Sequence, residues 1–449
     1  MRCDNATVRP LEPPLVERGQ PGQFIPFEVT KRDPVIRDLP ATPIDLLFRY
    51  IPQEMAESWA QWTNEAPRSR EGPRQRHSRE NRWRPTSAEE IYLFLGILIY
   101  MGIHHETNMK RYWSNSFDQE DPIYLFTRHM PRDRFLLLFR RLRIFSPAGL
   151  NGPATLSGSY GRRHRRTQPR EDLMPSVYRQ VDRWSKHIQE TGDSMYVPGS
   201  DLTVDEAMVR FTGRSLETTT IPQKPTPTGY KIWVLGQSGY FVRWLWHVHG
   251  RGPCGLVPQQ CSRQGDEEVA EEHLTSTQRV VTTLLTLLPL AVYHVFLDNL
   301  FASVKLFKAL RSSQDGKVNQ FSWQDNAVVL FLTTVFREGN QVIRSRRRPA
   351  GSSAANRAAR EVFGSEVRKD LRVPLGIDEY SHHMNGVGTG DQLRSYNQYS
   401  RPIRRGGWQS IAWNFLLKVI LVNSFLLQIW GEPKWKVSKS QYGDTYLLN

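Results

Sequence analysis

A chain of 449 residues, 39% of them hydrophobic, is long enough for two or three domains and apolar enough for real cores, so a wholly disordered protein is excluded. Sixty Lys and Arg stand against 45 Asp and Glu, a net charge of +15 that favours a polyanionic partner. The three cysteines, Cys3, Cys254 and Cys261, exclude a disulfide framework and fit a reducing compartment.

Residues 1–40 are rich in Pro and charge and lack periodicity, which predicts a flexible arm. Their opening, MRCDNATVRPLEPP, carries no continuous apolar run, so no secretory signal is expected and the Asn5 sequon should stay unmodified. From Thr42, TPIDLLFRYI and MAESWAQWTNEA space their apolar residues by three and four, as amphipathic helices do. The basic stretch PRSREGPRQRHSRENRWRP reads as an exposed loop. TSAEEIYLFLGILIYMGI then offers Thr86 or Ser87 as a cap, and its apolar run from Ile91 to Ile103 is too short for a bilayer, which predicts a buried helix. MPRDRFLLLFRRLRIF predicts a helix with an Arg-rich face. In the Gly, Ser and Arg-rich linker that follows, GRRHRR contributes Arg162, Arg163, Arg165 and Arg166, either a solvated face or a phosphate contact.

After the helix SVYRQVDRWSKHIQETG comes the stretch LTVDEAMVRFTGRSLETTTIPQKPTPTGYKIWVLGQSGYFVRWLWHVHG, which reads as strand, loop, strand, strand. It begins with an acidic pair, Asp205 and Glu206. Successive strand residues point to opposite faces, so one of the two is expected to serve any given site. Further on, Tyr293 to Leu297 reads as a buried strand ending at Asp298 and giving way to a helix through Ser303. Two carboxylates at strand ends in a basic chain suit a hard divalent cation, with a cap or surface role as the alternative.

Trp323 to Phe336 predicts a buried strand, and RSRRRPAGSSAANRAAR an exposed segment whose residues 344–348 suit a nuclear localisation patch. HHMNGVGTGDQLRSYN should open a helix. The run from Ile411 to Trp430 is long enough to invite a membrane span, but Asn414, Lys418, Asn423, Ser424 and Gln428 keep a polar stripe, which predicts a core helix. His247 and His249 with Cys254 and Cys261 offer zinc-ligand types at a spacing that matches no zinc pattern, and the doublets His104–His105 and His382–His383 do no better. Paired acids with many tryptophans would also suit a glycosidase, against which the positive charge argues.

The runs VDEAMVRFTGRS, KPTPTGYKIWVL and HVFLDNLFAS, in this order, resemble the core of piggyBac-like transposases, fungal members above all, and the likeness spans most of residues 30–430. The resemblance implies a ribonuclease H-like α/β fold, a mixed sheet flanked by helices and preceded by a mostly helical N-terminal domain over 41–147. It divides the remainder into a basic linker and lead-in helix at 148–200, core segments at 201–315 and 373–432 around a shortened insertion at 316–372, and a tail at 433–449. Family members cut and rejoin double-stranded DNA, excising an element by its terminal repeats and inserting it at TTAA. By the motifs, Asp205 and Asp298 would hold Mg2+ or Mn2+, with Asp391 contacting metal directly or indirectly. DNA contact is expected at the four GRRHRR arginines and at Arg214, Lys224 and Lys231. A homodimer in the nucleus, away from membranes, completes the expectation.

Three departures qualify it. Fungal relatives read NGVD and then DQLR, whereas Asn385-Gly386-Val387 is followed here by Gly388, so the third acid is absent. The distance from Leu310 to Trp323 is short for the family, and no cysteine-rich module follows Trp430. The expectation is a transposase-derived DNA-binding protein with impaired strand cleavage, or, as the alternative, a domesticated or decaying relative that binds without cutting.

Overall fold

The computed structural model describes residues 24, 26–66, 82–114, 124–146, 174–249, 252–254, 274–311, 318–324, 328–337, 339–352, 354–396 and 407–431. It divides into two compact units, one of Thr30–Phe301 with Tyr380–Asn449 and a smaller one of Met1–Val29 with Ala302–Glu379.

In the larger unit, the short strand β1 (Val35–Ile36) precedes three helices, α1 (Pro43–Tyr50), α2 (Gln53–Glu65) and α3 (Ala88–Ile103). Thr42 caps α1 by accepting the Asp45 N–H, and Ser87, one of the two caps the sequence offered, caps α3 through the Glu90 N–H. Helix α4 (Arg132–Arg141) is the Arg-bearing helix expected, and two of its arginines, Arg134 and Arg141, are buried. Arg134 grips the Glu90 carboxylate at 2.7 Å and the Arg84 carbonyl at 2.8 Å, while Arg141 donates to the Ala66 carbonyl. Both guanidiniums lie over the Trp83 ring. Burial of such guanidiniums is offset where their donors are hydrogen-bonded, as those of Arg134 are, and where an aromatic ring covers the planar face, as Trp83 does for both.

Helix α5 (Ser176–Met195) buries Tyr178, Val181, Trp184, Ser185 and Ile188, a stripe at three- and four-residue spacing. It leads through β2 (Tyr196–Val197), which pairs with β1, into β3 (Asp201–Arg210), β4 (Thr218–Thr220), β5 (Thr228–Gln237), β6 (Tyr240–Val248) and β7 (Gly252–Cys254). The strand, loop, strand, strand pattern of the sequence is thus present. Ser238 and Gly239, both at positive φ, form the two-residue turn of the β5–β6 hairpin, a conformation glycine adopts without strain. After α6 (Ser276–Thr286), opened by a capping box between Thr275 and Gln278, strand β8 (His294–Leu297) lies parallel to β3. The sheet order is β7-β6-β5-β3-β8, with β4 beside β5. One parallel pair among antiparallel ones makes it a mixed sheet.

The smaller unit contains α7 (Val304–Arg311), the hairpin β9 (Asn319–Gln324) and β10 (Val328–Thr333), and a ribbon of β11 (Gln341–Arg347) and β12 (Arg368–Pro374), with α8 (Ala354–Phe363) inserted between them. The strand expected with its lead-in between Trp323 and Phe336 is present as β10, its lead-in belonging in part to β9 of the same hairpin, but it is not the buried strand expected, since Val329 and Leu330 are exposed. A two-stranded unit has no second layer to cover both faces, which apolar content alone does not reveal. On the β11–β12 ribbon Arg347 stands opposite Arg368 and Arg346 opposite Lys369.

Helix α9 (Leu375–His383) leads back to the larger unit, followed by α10 (Gly386–Tyr396). A Cβ at Gly390 would come within 2.5 Å of the Gly239 carbonyl and 2.7 Å of the Phe241 ring, so glycine there sets how closely α10 lies on the hairpin. The last helix, α11 (Gly407–Trp430), is long and apolar enough to cross a membrane, yet most of it is buried within the protein. Asn423 shows the reason for its polar stripe, accepting from the Phe241 N–H at 2.9 Å and donating to the Phe241 carbonyl at 3.0 Å. It is a core helix, as the stripe predicted. Residues Ala412–Leu417 widen into a π-helical turn, and the Asn414 carbonyl within it accepts from Arg394 at 2.6 Å.

Candidate metal centre

The parallel ladder between β3 and β8 ends with Val204 opposite Leu297. The next residue of each strand is an aspartate, so the ladder delivers Asp205 and Asp298 to the same place. Asp298 is fixed by its own turn, its carboxylate accepting the Leu300 N–H at 2.9 Å and its carbonyl the Phe301 N–H at 3.3 Å. Asp205 accepts the Glu206 N–H at 2.7 Å.

Glu206 completes the group. One carboxylate oxygen from each of Asp205, Glu206 and Asp298 lies within 4.8 Å of the others. This corrects the expectation that only one member of the Asp205–Glu206 pair can serve a site. Alternation holds for the backbone, since Asp205 stands opposite Val234 and Glu206 opposite Trp233 on β5. Beyond Val204, however, β8 no longer flanks β3, and a glutamate side chain is long enough to bring its carboxyl round the free edge.

The electrostatics follow from burial. The Asp205 carboxyl is pushed up to about 6, first by burial and then by the neighbouring charges of Glu206 and Asp298, with Lys224 opposing. Burial also raises Asp298. The lysines expected to touch DNA turn inward: Lys224 Nζ is 3.2 Å from Glu206 Oε1 and Lys231 Nζ is 3.7 Å from Glu206 Oε2. Lys231 also sits over the Trp233 ring at 4.0 Å, and burial lowers its pKa. For Lys224 burial works in the same direction, but the carboxylates of Asp205 and Glu206 outweigh it and raise its pKa. Tyr380, on α9, has its phenol pushed up by burial and then by the charges of Asp298 and Asp205.

The remaining expected residues lie elsewhere. Asp391 gives Oδ1 to Arg394 at 2.9 and 3.1 Å, and Arg394 also donates to the Met208 carbonyl on β3. Gly388, on α10, contributes no side chain. Arg214 is exposed in the loop after β3. Arg162, Arg163, Arg165 and Arg166 lie outside the described residues, as does Cys261. His247 is half-buried beside Trp233, its pKa lowered to about 4 by burial first, and His249 hydrogen-bonds to Thr218. Sequence reasoning named Glu206, Lys224 and Lys231 but missed that Glu206 joins both aspartates and that the two lysines pair with it. The adjacency of Glu206 to Asp205 was the one available signal, and both stand mid-way along β3 (Asp201–Arg210), not at the strand end expected for Asp205.

Comparison with known proteins settles the family. The family model described as Transposase IS4 matches residues 42–315, more than half of the chain and inclusive of Asp205, Glu206 and Asp298. The chain belongs to this transposase family, as a piggyBac-like member. A piggyBac-like relative, human PiggyBac transposable element-derived protein 2, is 23% identical over 379 residues, covering 76% of this chain and 55% of its own length. The present piggyBac-like chain therefore spans about half the length of that curated relative. A piggyBac transposase seen by cryo-EM in a synaptic complex with hairpin DNA shares the fold at a TM-score of 0.58 and 18% identity, over 89% of this chain and 77% of its own.

Proposed function

We propose that this chain binds double-stranded DNA and, with a divalent cation such as Mg2+ or Mn2+, cleaves phosphodiester bonds weakly, as an impaired descendant of cut-and-paste transposition at TTAA. In this reading the mixed sheet is a ribonuclease H-like core, the protein works as a homodimer, and it acts in the nucleus. The convergence of Asp205, Glu206 and Asp298 at the end of the β3–β8 ladder carries the reading. Its support comes from the transposase family, from the relative named as derived from a piggyBac element, and from the DNA complex of the fold neighbour.

The residues present fit a hard cation. Three carboxylates supply only oxygen donors, and Glu206 Oε2 is buried without a hydrogen bond among the described residues. Asp205 and Asp298 would hold the ion, which when bound supplies charge stabilisation for an in-line phosphoryl displacement. The fixed hydrogen bonds at Asp205 and Asp298 keep these carboxylates oriented before substrate arrives. Lys224, partly exposed at the rim, and the exposed Arg214 are suited to contact a phosphate oxygen on the incoming strand.

Weakness is expected for two reasons. Gly388 offers no ligand on α10, and the ammonium groups of Lys224 and Lys231 compete with a cation for Glu206. The same observations favour a second reading, a DNA-binding protein without cleavage. Supercoiled plasmid incubated with the purified chain and Mn2+ separates them. Nicking that disappears in Asp298→Ala supports the first reading, whereas salt-sensitive DNA binding with no nicking above that variant supports the second.

A further inference from the structure

The relatives' third acid is missing from α10, but a third carboxylate is present at the centre from another position. Glu206 belongs to the strand face that carries Trp233 and Lys231, not to the one that carries Asp205. Its carboxyl nevertheless meets those of Asp205 and Asp298. The side chain is 7% exposed, and Oε2 accepts no hydrogen bond among the described residues, its nearest cation Lys231 being 3.7 Å away. A buried carboxylate oxygen left without a donor is costly and rare in folded proteins. Here the orphaned oxygen belongs to the same carboxylate that approaches two others of like charge, an arrangement that a shared cation would relieve.

We propose that Glu206 is the third carboxylate ligand of a divalent cation held by Asp205 and Asp298, taking over the role left open at Gly388. The inference rests on the reading that this centre binds a cation, and it adds which residue completes it. The two lysines define how the ion enters. The Lys231 side chain is 9% exposed and anchored over Trp233, so it stays; that of Lys224 is 34% exposed and held by one ion pair, so it is the group that swings out as the cation arrives.

The test is a Mn2+ titration of the full chain without DNA, free Mn2+ being followed by electron paramagnetic resonance, alongside thermal unfolding with and without the ion. The parent should bind Mn2+ and melt higher in its presence. Glu206→Gln should weaken binding by about 10- to 100-fold, the loss seen when even an outer support of a metal ligand is removed, and should abolish the Mn2+-dependent rise in melting temperature. Asp205→Asn serves as the control that must lose binding in either case. If Glu206→Gln fails to fold, the double variant with Lys231→Met, which strands no buried ammonium, is titrated and judged by the same criterion. Parent-like Mn2+ affinity in the Glu206 variant, with loss in Asp205→Asn, overturns the proposal and leaves the functional reading intact. A parent that binds no Mn2+ overturns both.

Discussion

Val204 of β3 and Leu297 of β8 form the last rung of a parallel ladder in the main sheet, and each is followed by an aspartate. Parallel strands run in the same direction, so the residues one step past a shared rung come side by side where β8 stops and β3 continues beside β5. That register, and no local feature, joins Asp205 to Asp298. Replacing either by Ala should reduce any strand cleavage by at least about 100-fold, the scale of losing one preorganised electrostatic contact to the transition state. DNA affinity should change little, because Lys and Arg contacts to phosphate dominate binding. Plasmid nicking and gel-shift assays on the same preparations check both halves.

Asp205 also makes a prediction about stability. Its folded pKa of about 6 lies above the ordinary aspartate value, so between roughly pH 4 and 6 the native state holds more protons than the unfolded chain. Stability therefore falls as pH rises through that window, and above pH 6 the full cost of the buried carboxylate is present. Asp205→Asn removes the cost while its Oδ1 can still accept the Glu206 N–H. In metal-free buffer at pH 7.5 the variant should be more stable by about 1–2 kcal/mol, an advantage that shrinks towards pH 4. Urea unfolding at the two pH values measures it, and an unchanged advantage at low pH would count against the assignment.

Gly388→Asp should raise Mn2+-dependent nicking above the parent. The new Cβ would press on Asn385 Oδ1, the far end of an exposed side chain that can rotate away, so the helix should accept it. Comparison of nicking rates at equal protein and metal concentration decides the matter. A rate no higher than the parent's would mean that α10 does not address this centre.

The β11–β12 ribbon sets Arg347 directly opposite Arg368, both exposed, and like charges so placed oppose each other in the free protein. A phosphate backbone would relieve the repulsion. Substituting both by Gln should weaken DNA binding and lower the slope of log affinity against log salt by about 2, roughly one counterion per cation lost. Binding measured at several salt concentrations gives the slope, and an unaltered slope places the DNA elsewhere.

The amino-acid sequence determined a good deal by itself. The run from 202 to 250 specified the strands that form the β5–β6 hairpin, Ser87 was one of two caps offered for α3, and the polar stripe of α11 marked it as a core helix. These features are local, with the cause and its effect within a few residues of each other. Asp298 was legible for the same reason, standing just past the apolar β8 run, and Asp205 through the motif around it. Tertiary structure alone decided what surrounds them. Whether Glu206 reaches the centre depends on where β8 stops, and whether Lys224, Lys231, Arg134 and Arg141 face solvent or their buried partners depends on elements far away in the chain. Composition records the charge of such residues but not its direction, because a long side chain at a sheet edge or helix face follows the nearest uncompensated charge, and only the fold brings that charge within reach.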